Sequence, residues 1–337
     1  MRPTASRRRP AAKAQPATAA ASAAARQGER RDRPSLYDEV TAKIIGELEA
    51  GRLPWVQPWG KATGTRVDLP RNCATGRRYS GINVLLLWGS AIEHGYDSQG
   101  WLTFRQAIHA GGAVRRGEHG TTVVYADRFT PRAEQERAAR DGDEPGKVPF
   151  LKRFTVFNFD QCEGLRSVTS DRPRLPEREA IPRAEQLIAD TGADFRIGGD
   201  KAFYAPGPDY VQVPPQPAFF DQINYYRTAF HELSHWTGHA SRLNRDQTGW
   251  RGGEGYAREE LVAEMGGAFV CAALGIVPTV RHADYIGSWL QVLKNDNRAI
   301  FRAASQASKA ADLLLGFTHH DPAENHGVNA QAMEAAA

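Results

Sequence analysis

The chain has 337 residues, of which 41% are hydrophobic, 24% charged and 9% aromatic, with a formal net charge of +4. That is globular composition, with apolar residues for a sizeable core and length for about two domains. No apolar run approaches the roughly 20 residues of a membrane helix, and Cys73, Cys162 and Cys271 make neither a CxxC nor a disulfide framework, which points to a reducing, cytoplasmic setting and away from a membrane.

Residues 1–34 hold 9 Lys/Arg against 2 Asp/Glu and no aromatic residue. Such a segment cannot bury enough surface to offset the entropy of ordering, so it is expected to be a disordered basic tail. Arg7, Arg8 and Arg9 precede no apolar stretch, so a secretory signal is not expected here. Two readings stay open: an arm that attracts nucleic acid without regard to sequence, or an unconstrained extension.

A first domain is expected over residues 35–166. Ser35 and Asp38 form a capping-box-like start for a helix carrying Val40, Ile44, Ile45 and Leu48, closed by Gly51. A Pro-stiffened loop then brings Trp55 and Trp59. A basic turn follows with Arg71, Arg77, Arg78 and Tyr79. Helices are expected near 81–94 and 103–110, then a hairpin of 121–129 with 150–159, whose charged insert, about 131–148, reads as surface loop. Arg115 and Arg116 sit beside Gly117 and Gly120 just before the hairpin. Single strands are bound by aromatic platforms for bases and cations for phosphates. Trp55, Trp59, Arg71, Arg77, Arg78, Tyr79, Arg115 and Arg116 are therefore candidate nucleic-acid residues, although these tryptophans are equally a core. The domain holds 18 Lys/Arg against 16 Asp/Glu, so it is no uniformly basic binder.

Residues 167–182, with several prolines and charges, read as a linker. A second domain over 183–318 opens with a short helix and strands near 194–197, 202–204 and 209–213, then turns helical. A polar tail, 319–337, is expected to be flexible. The strand Tyr210–Val213 reads either as an edge that pairs with an extended peptide or as a plain sheet strand.

The most specific signal is His231-Glu232-Leu233-Ser234-His235. On a helix, i and i+4 share one face about 6 Å apart, so both imidazoles can converge on one ion. Glu232, next to the first ligand, is the candidate catalytic acid/base. His239 would sit about 12 Å from His231 on a straight helix, too far to share an ion. Ser241 stands where the metzincin pattern has its third histidine. The acidic run Glu259–Glu264 resembles the gluzincin arrangement, in which a second helix supplies a glutamate ligand and a group four residues on orients the first histidine. That resemblance implies Glu260 on the metal and Glu264 behind His231, with Glu259 as the fallback ligand. Tyr285 is either an oxyanion-stabilising phenol or a packing residue. The ion expected is Zn²⁺, with Mn²⁺ or another divalent cation as the alternative.

Together these stretches resemble the ArdC antirestriction family, whose N-terminal domain is shared with TraC-type plasmid primases. The resemblance is carried by Thr41–Ile45, Leu53–Trp59, Arg71-Asn72, Tyr79–Asn83, Gly117-Glu118 and Phe154–Asn158 in the first half. In the second it is carried by Phe230–His239, Glu259–Glu264, Tyr285–Leu293 and Ala299–Ala311. It implies an α+β, two-domain protein: a small single-stranded-DNA-binding domain and a zincin-like, gluzincin-type HExxH metalloprotease domain. The implied function is protection of incoming mobile-element DNA from restriction during conjugation, with single-stranded DNA and a host protein substrate as partners. A non-catalytic DNA-binding protein whose metal domain is a structural or docking module is the alternative.

Overall fold

A computed structural model of the chain describes residues 34–56, 68–165, 177–219, 222–247, 253–277 and 285–319. The tail up to residue 33, Trp59, most of the expected linker and nearly all of the C-terminal tail lie outside the described residues.

The N-terminal domain runs through α1 (Leu36–Glu49), β1 (Arg71–Asn72), α2 (Ile82–His94), β2 (Gly100–Leu102), α3 (Phe104–His109), β3 (Ala113–Val114), β4 (Thr121–Phe129), α4 (Arg132–Asp141), β5 (Val148–Asn158) and β6 (Cys162–Glu163). The Ser35 side chain accepts the Asp38 N–H at 3.2 Å, and the Asp38 carboxylate takes the Ser35 N–H at 3.0 Å, so two orphan donors of α1 are satisfied. Gly51, at φ 71°, lets the chain turn away after it. Four strands form one sheet in the order β1-β2-β5-β4. The long β4–β5 hairpin alternates faces: Val123 and Val156 point inward and pack on Leu87 and Ala91 of α2 and on Trp101. Asn83 of α2 donates to the Val124 carbonyl and accepts its N–H, both at 2.8 Å, which fixes the helix to the edge strand β4.

The hairpin insert is not all loop. Arg132–Asp141 is helical because Ala, Glu and Arg are strong helix formers. The i,i+4 pair Arg132–Glu136 (3.0 Å) and the i,i+3 pair Arg137–Glu134 (2.6 Å) reinforce it.

The C-terminal domain contains α5 (Glu177–Asp190), β7 (Asp194–Ile197), β8 (Phe203–Ala205), β9 (Tyr210–Val213), α6 (Gln222–Trp236), α7 (Glu254–Ala273), α8 (Ile286–Asn295) and α9 (Ala299–Gly316). Helix α5 begins inside the segment expected as linker. Pro182 removes one helical hydrogen bond in its second turn, and burial of Ala184, Leu187 and Ile188 holds the helix regardless. The sheet order is β7-β9-β8. Tyr210–Val213 is therefore the central strand, paired with β7 in parallel and β8 antiparallel, and both its edges are taken. It has no edge to offer a peptide, which corrects that expectation. Helix α7 packs between α6 and α9 and is buried on every face from Glu259 to Ala272, as its Ala- and Gly-rich sequence permits.

The two domains share one hydrophobic cluster. Trp55 meets Trp289 of α8 edge-on at 5.4 Å, and Trp88 of α2 meets Phe269 of α7 at 5.6 Å. The Thr41 hydroxyl donates to the Asn297 carbonyl at 2.7 Å, and the Gly81 N–H to the Ser308 hydroxyl at 2.8 Å. No described helix is long and apolar enough to cross a membrane.

Candidate metal centre

Helix α6 presents His231 and His235 one turn apart, and α7 crosses it with Glu260. The crossing is close because α7 carries glycine at the contact. A Cβ on Gly267 would stand 3.1 Å from the His231 backbone nitrogen, and one on Gly266 would stand 2.7 Å from the Ser234 hydroxyl. His231 Nε2 lies 3.5 Å from one Glu260 oxygen and His235 Nε2 lies 3.6 Å from the other. One donor atom from each of the three residues falls within 4.8 Å of the other two. Tetrahedral ligands at about 2.1 Å from an ion are about 3.4 Å apart, so two imidazoles and a carboxylate at this spacing fit a divalent cation of the borderline class.

Each imidazole is steered from behind by a carboxylate, and each carboxylate by an arginine. Glu264 Oε1 is 3.3 Å from His231 Nδ1, and the Arg227 guanidinium donates to Glu264 Oε2; both members of that ion pair are 0% exposed. Glu259 Oε1 is 3.2 Å from His235 Nδ1 and accepts from Arg245 at 2.7 Å. Arg245 also donates to the Ser234 carbonyl at 2.6 Å and the Thr237 hydroxyl at 2.8 Å, and Gln247 donates to the His235 carbonyl at 2.6 Å. Glu259, the fallback ligand, thus stands behind the second histidine.

The acidic surroundings set the protonation balance. Burial works against charge on His235, but hydrogen bonds to Glu259 and Glu260 outweigh it and push the imidazole up to about 9. His231 rises well above its ordinary value for the same balance of reasons, with Glu260, Glu264 and Glu232 as the partners. Burial alone would raise the Glu260 carboxyl; the two histidines hold it well below the usual range instead. This is a field that favours positive charge at the centre of the site.

Glu232 is buried beside His231. Tyr285 lies one hydroxyl away from the ligand set: its OH is 3.3 Å from the Tyr256 OH, and Tyr256, one turn before Glu260, hydrogen-bonds that carboxylate. Burial and that bond raise the Tyr256 phenol. His239 turns away, bonded to the Ser241 hydroxyl at 2.8 Å. Sequence reasoning missed Arg227, Arg245, Gln247 and Tyr256. Tyr256 and Arg227 were findable, being four residues before Glu260 and His231; Arg245 and Gln247 return from the loop after α6 and carry no spacing signal.

The nucleic-acid candidates fare differently. Trp55 is 1% exposed against Trp289, so it is a core residue with no ring face for a base. Arg77, Arg78, Arg115 and Arg116 are exposed, Arg115 being paired with Glu118 at 2.9 Å; Arg71 and Tyr79 are partly buried.

A histidine pair on one helix, met by a glutamate on the next, is the arrangement of zincin-like proteins, joined here to an α+β domain. Residues 182–306 match the family described as zincin-like metallopeptidase, and residues 34–157 match the N-terminal domain of anti-restriction factor ArdC. The crystal structure of the metal-free antirestriction ArdC protein from the R388 plasmid is similar, at 42% identity and a TM-score of 0.69, covering 84% of this chain and 97% of that one. Its Mn(II)-bound form matches at 40% identity with a TM-score of 0.68, over 86% of this chain and 100% of that one. The protein y4eC of Sinorhizobium fredii is 40% identical over 83% of this chain and 91% of its own length. The DNA primase TraC of Escherichia coli is 40% identical over 84% of this chain, but the chain spans only 27% of that protein. The chain belongs to the ArdC antirestriction family.

Proposed function

We propose that this protein protects incoming mobile-element DNA by binding single-stranded DNA through its N-terminal domain and by acting on a host protein, in the cytoplasm, through a metallopeptidase-type site. The observation that carries the reading is the convergence of His231, His235 and Glu260, with Glu232 beside the first histidine. These three residues would hold Zn²⁺, or Mn²⁺ as in the R388 relative's crystal structure. A bound divalent ion supplies Lewis acidity to a peptide carbonyl. Glu264 and Glu259 keep both imidazoles oriented, with their Nε2 atoms turned inward. Glu232 takes a proton from the attacking water and returns it to the leaving amine. Tyr285, whose hydroxyl is 3.3 Å from that of Tyr256, would donate to charge developing on a carbonyl oxygen.

The test is Glu232→Gln, assayed for bound metal and for protection of unmodified DNA entering a restricting host. Retained metal with lost protection supports hydrolysis. Retained metal with full protection excludes it and leaves the second reading, a DNA-binding protein whose metal domain is a docking module.

A further inference from the structure

Among the described residues of the N-terminal domain the tryptophans are internal: Trp55, Trp88 and Trp101 are all buried. The large apolar side chains exposed among the described residues lie elsewhere, and two of the four stand one turn apart on α3: Phe104, 52% exposed, and Ile108, 51% exposed. We propose that α3 is the base-stacking platform for single-stranded nucleic acid, with Phe104 and Ile108 under the bases and Arg77, Arg105 and Arg116 along the phosphates. This rests on the single-strand-binding reading above and gives it a location.

Helix α3 is built to hold that face still. Its opposite side is anchored by Ala107, fully buried against Cys73 and Leu102. The Thr103 hydroxyl accepts the Gln106 N–H at 3.2 Å, and the Gln106 side chain accepts the Thr103 N–H at 2.9 Å, closing a capping box. The same Gln106 oxygen accepts from Asn72 at 3.0 Å, which ties α3 to the turn carrying Arg77. The Phe104 and Phe157 rings meet in an edge-type contact at 6.3 Å and 63°, which restrains Phe104 and leaves half of its side chain open. An exposed phenylalanine that is rigidly held has lost its rotamer entropy before any ligand arrives.

Charge decides the occupant. Arg105 follows Phe104 directly, Arg77 sits on the tethered turn, and Arg116 follows β3, which packs on α3. Among the described residues none of these three arginines forms an ion pair, whereas Arg115 is neutralised by Glu118. Exposed arginines on α3 and on the two segments that adjoin it suit an unpaired strand, whose bases offer π-faces and whose phosphates need positive charge.

The test uses the full chain and a labelled oligothymidylate, read by fluorescence anisotropy across a salt series. Phe104→Ala is expected to weaken binding roughly 5- to 100-fold with the salt slope unchanged, because it removes stacking alone; Phe104→Trp restores it. Arg77→Ala and Arg105→Ala are each expected to lower the slope of log affinity against log salt by about 0.7, the loss of one phosphate contact. Because both apolar side chains are half in solvent, melting temperature is expected to be unchanged, and Ile108→Ala serves as the second variant. If wild type binds and the Phe104 and Ile108 variants bind within about twofold of it, the platform is refuted while single-strand binding stands, and α3 is a protein-docking face instead. If wild type itself fails to bind at low salt, the reading beneath the platform falls and takes the platform with it.

Discussion

Gly267→Ala sets two opposed effects against each other. Alanine is favoured over glycine in a helix interior by about 1 kcal/mol, and Gly267 lies inside α7. The new Cβ would stand 3.1 Å from His231 N, 3.3 Å from His231 Cα and 3.4 Å from Phe230 C. Ordinary carbon contacts are about 3.5–4.0 Å, so α6 must retreat by roughly 0.4 Å. All three neighbours are backbone, so no side-chain rotation relieves them, and Ala229 and Phe230 are fully buried on the same helix. Overpacking of this kind costs about 1–3 kcal/mol, which cancels or exceeds the propensity gain. The expected net effect is destabilisation of about 1 kcal/mol by urea denaturation. Because Glu260 rides on α7 and His231 on α6, the 3.5 Å spacing between them should widen, weakening Mn²⁺ or Zn²⁺ binding by calorimetry roughly tenfold. Gly46→Ala is the control: nothing lies within 4 Å of its Cβ, so it should gain the full propensity term. A Gly267→Ala protein that gains stability as Gly46→Ala does, with wild-type metal affinity, refutes the claim that this glycine sets the helix separation.

Arg227→Met should destabilise the protein by about 3–5 kcal/mol, because it strands the Glu264 charge in the interior; adding Glu264→Gln should recover much of the stability but not the metal affinity. An unchanged denaturation midpoint for the single variant contradicts this. Arg245→Lys removes the two-pronged hold on Glu259, and metal titration should show affinity about 10- to 100-fold lower, with wild-type affinity as the refuting result. The Arg242 guanidinium beside Asp209 keeps that carboxyl below its ordinary value, so its stabilisation is full above about pH 4 and is lost as pH falls through the folded value. Asp209→Asn, which also tolerates the positive φ of 53° there, should flatten the acid limb of stability; an acid limb as steep as wild type's argues against the pair.

The metal site was legible where local geometry writes itself into spacing. His231 and His235 follow from the helical period, and the pair Glu260 and Glu264 from the gluzincin likeness. The second steering carboxylate, Glu259, was legible only as a fallback ligand, because its partner Arg245 arrives through a loop whose path no periodicity records. Burial of Trp55 was illegible for a similar reason: its partner Trp289 belongs to the other domain, and composition does not say which face of an aromatic residue is covered. The 132–141 helix lacked an apolar stripe, so only propensity and i,i+4 charge pairs marked it. Strand order placed β9 in the middle of its sheet, a fact that depends on pairing rather than on the strand's own residues.

The contacts that weld the two domains also constrain how the chain is made. The Thr41 hydroxyl and the carbonyl it binds are 256 residues apart. At about 5–20 residues per second, a ribosome takes roughly 10–50 s to cover that interval. For most of that time Trp55 and Trp88 are already synthesised while Trp289 and Phe269 are not. The N-terminal half therefore waits with part of its core uncovered, a window in which chaperones have an apolar surface to hold, and that shared core closes only after Trp289 has been made.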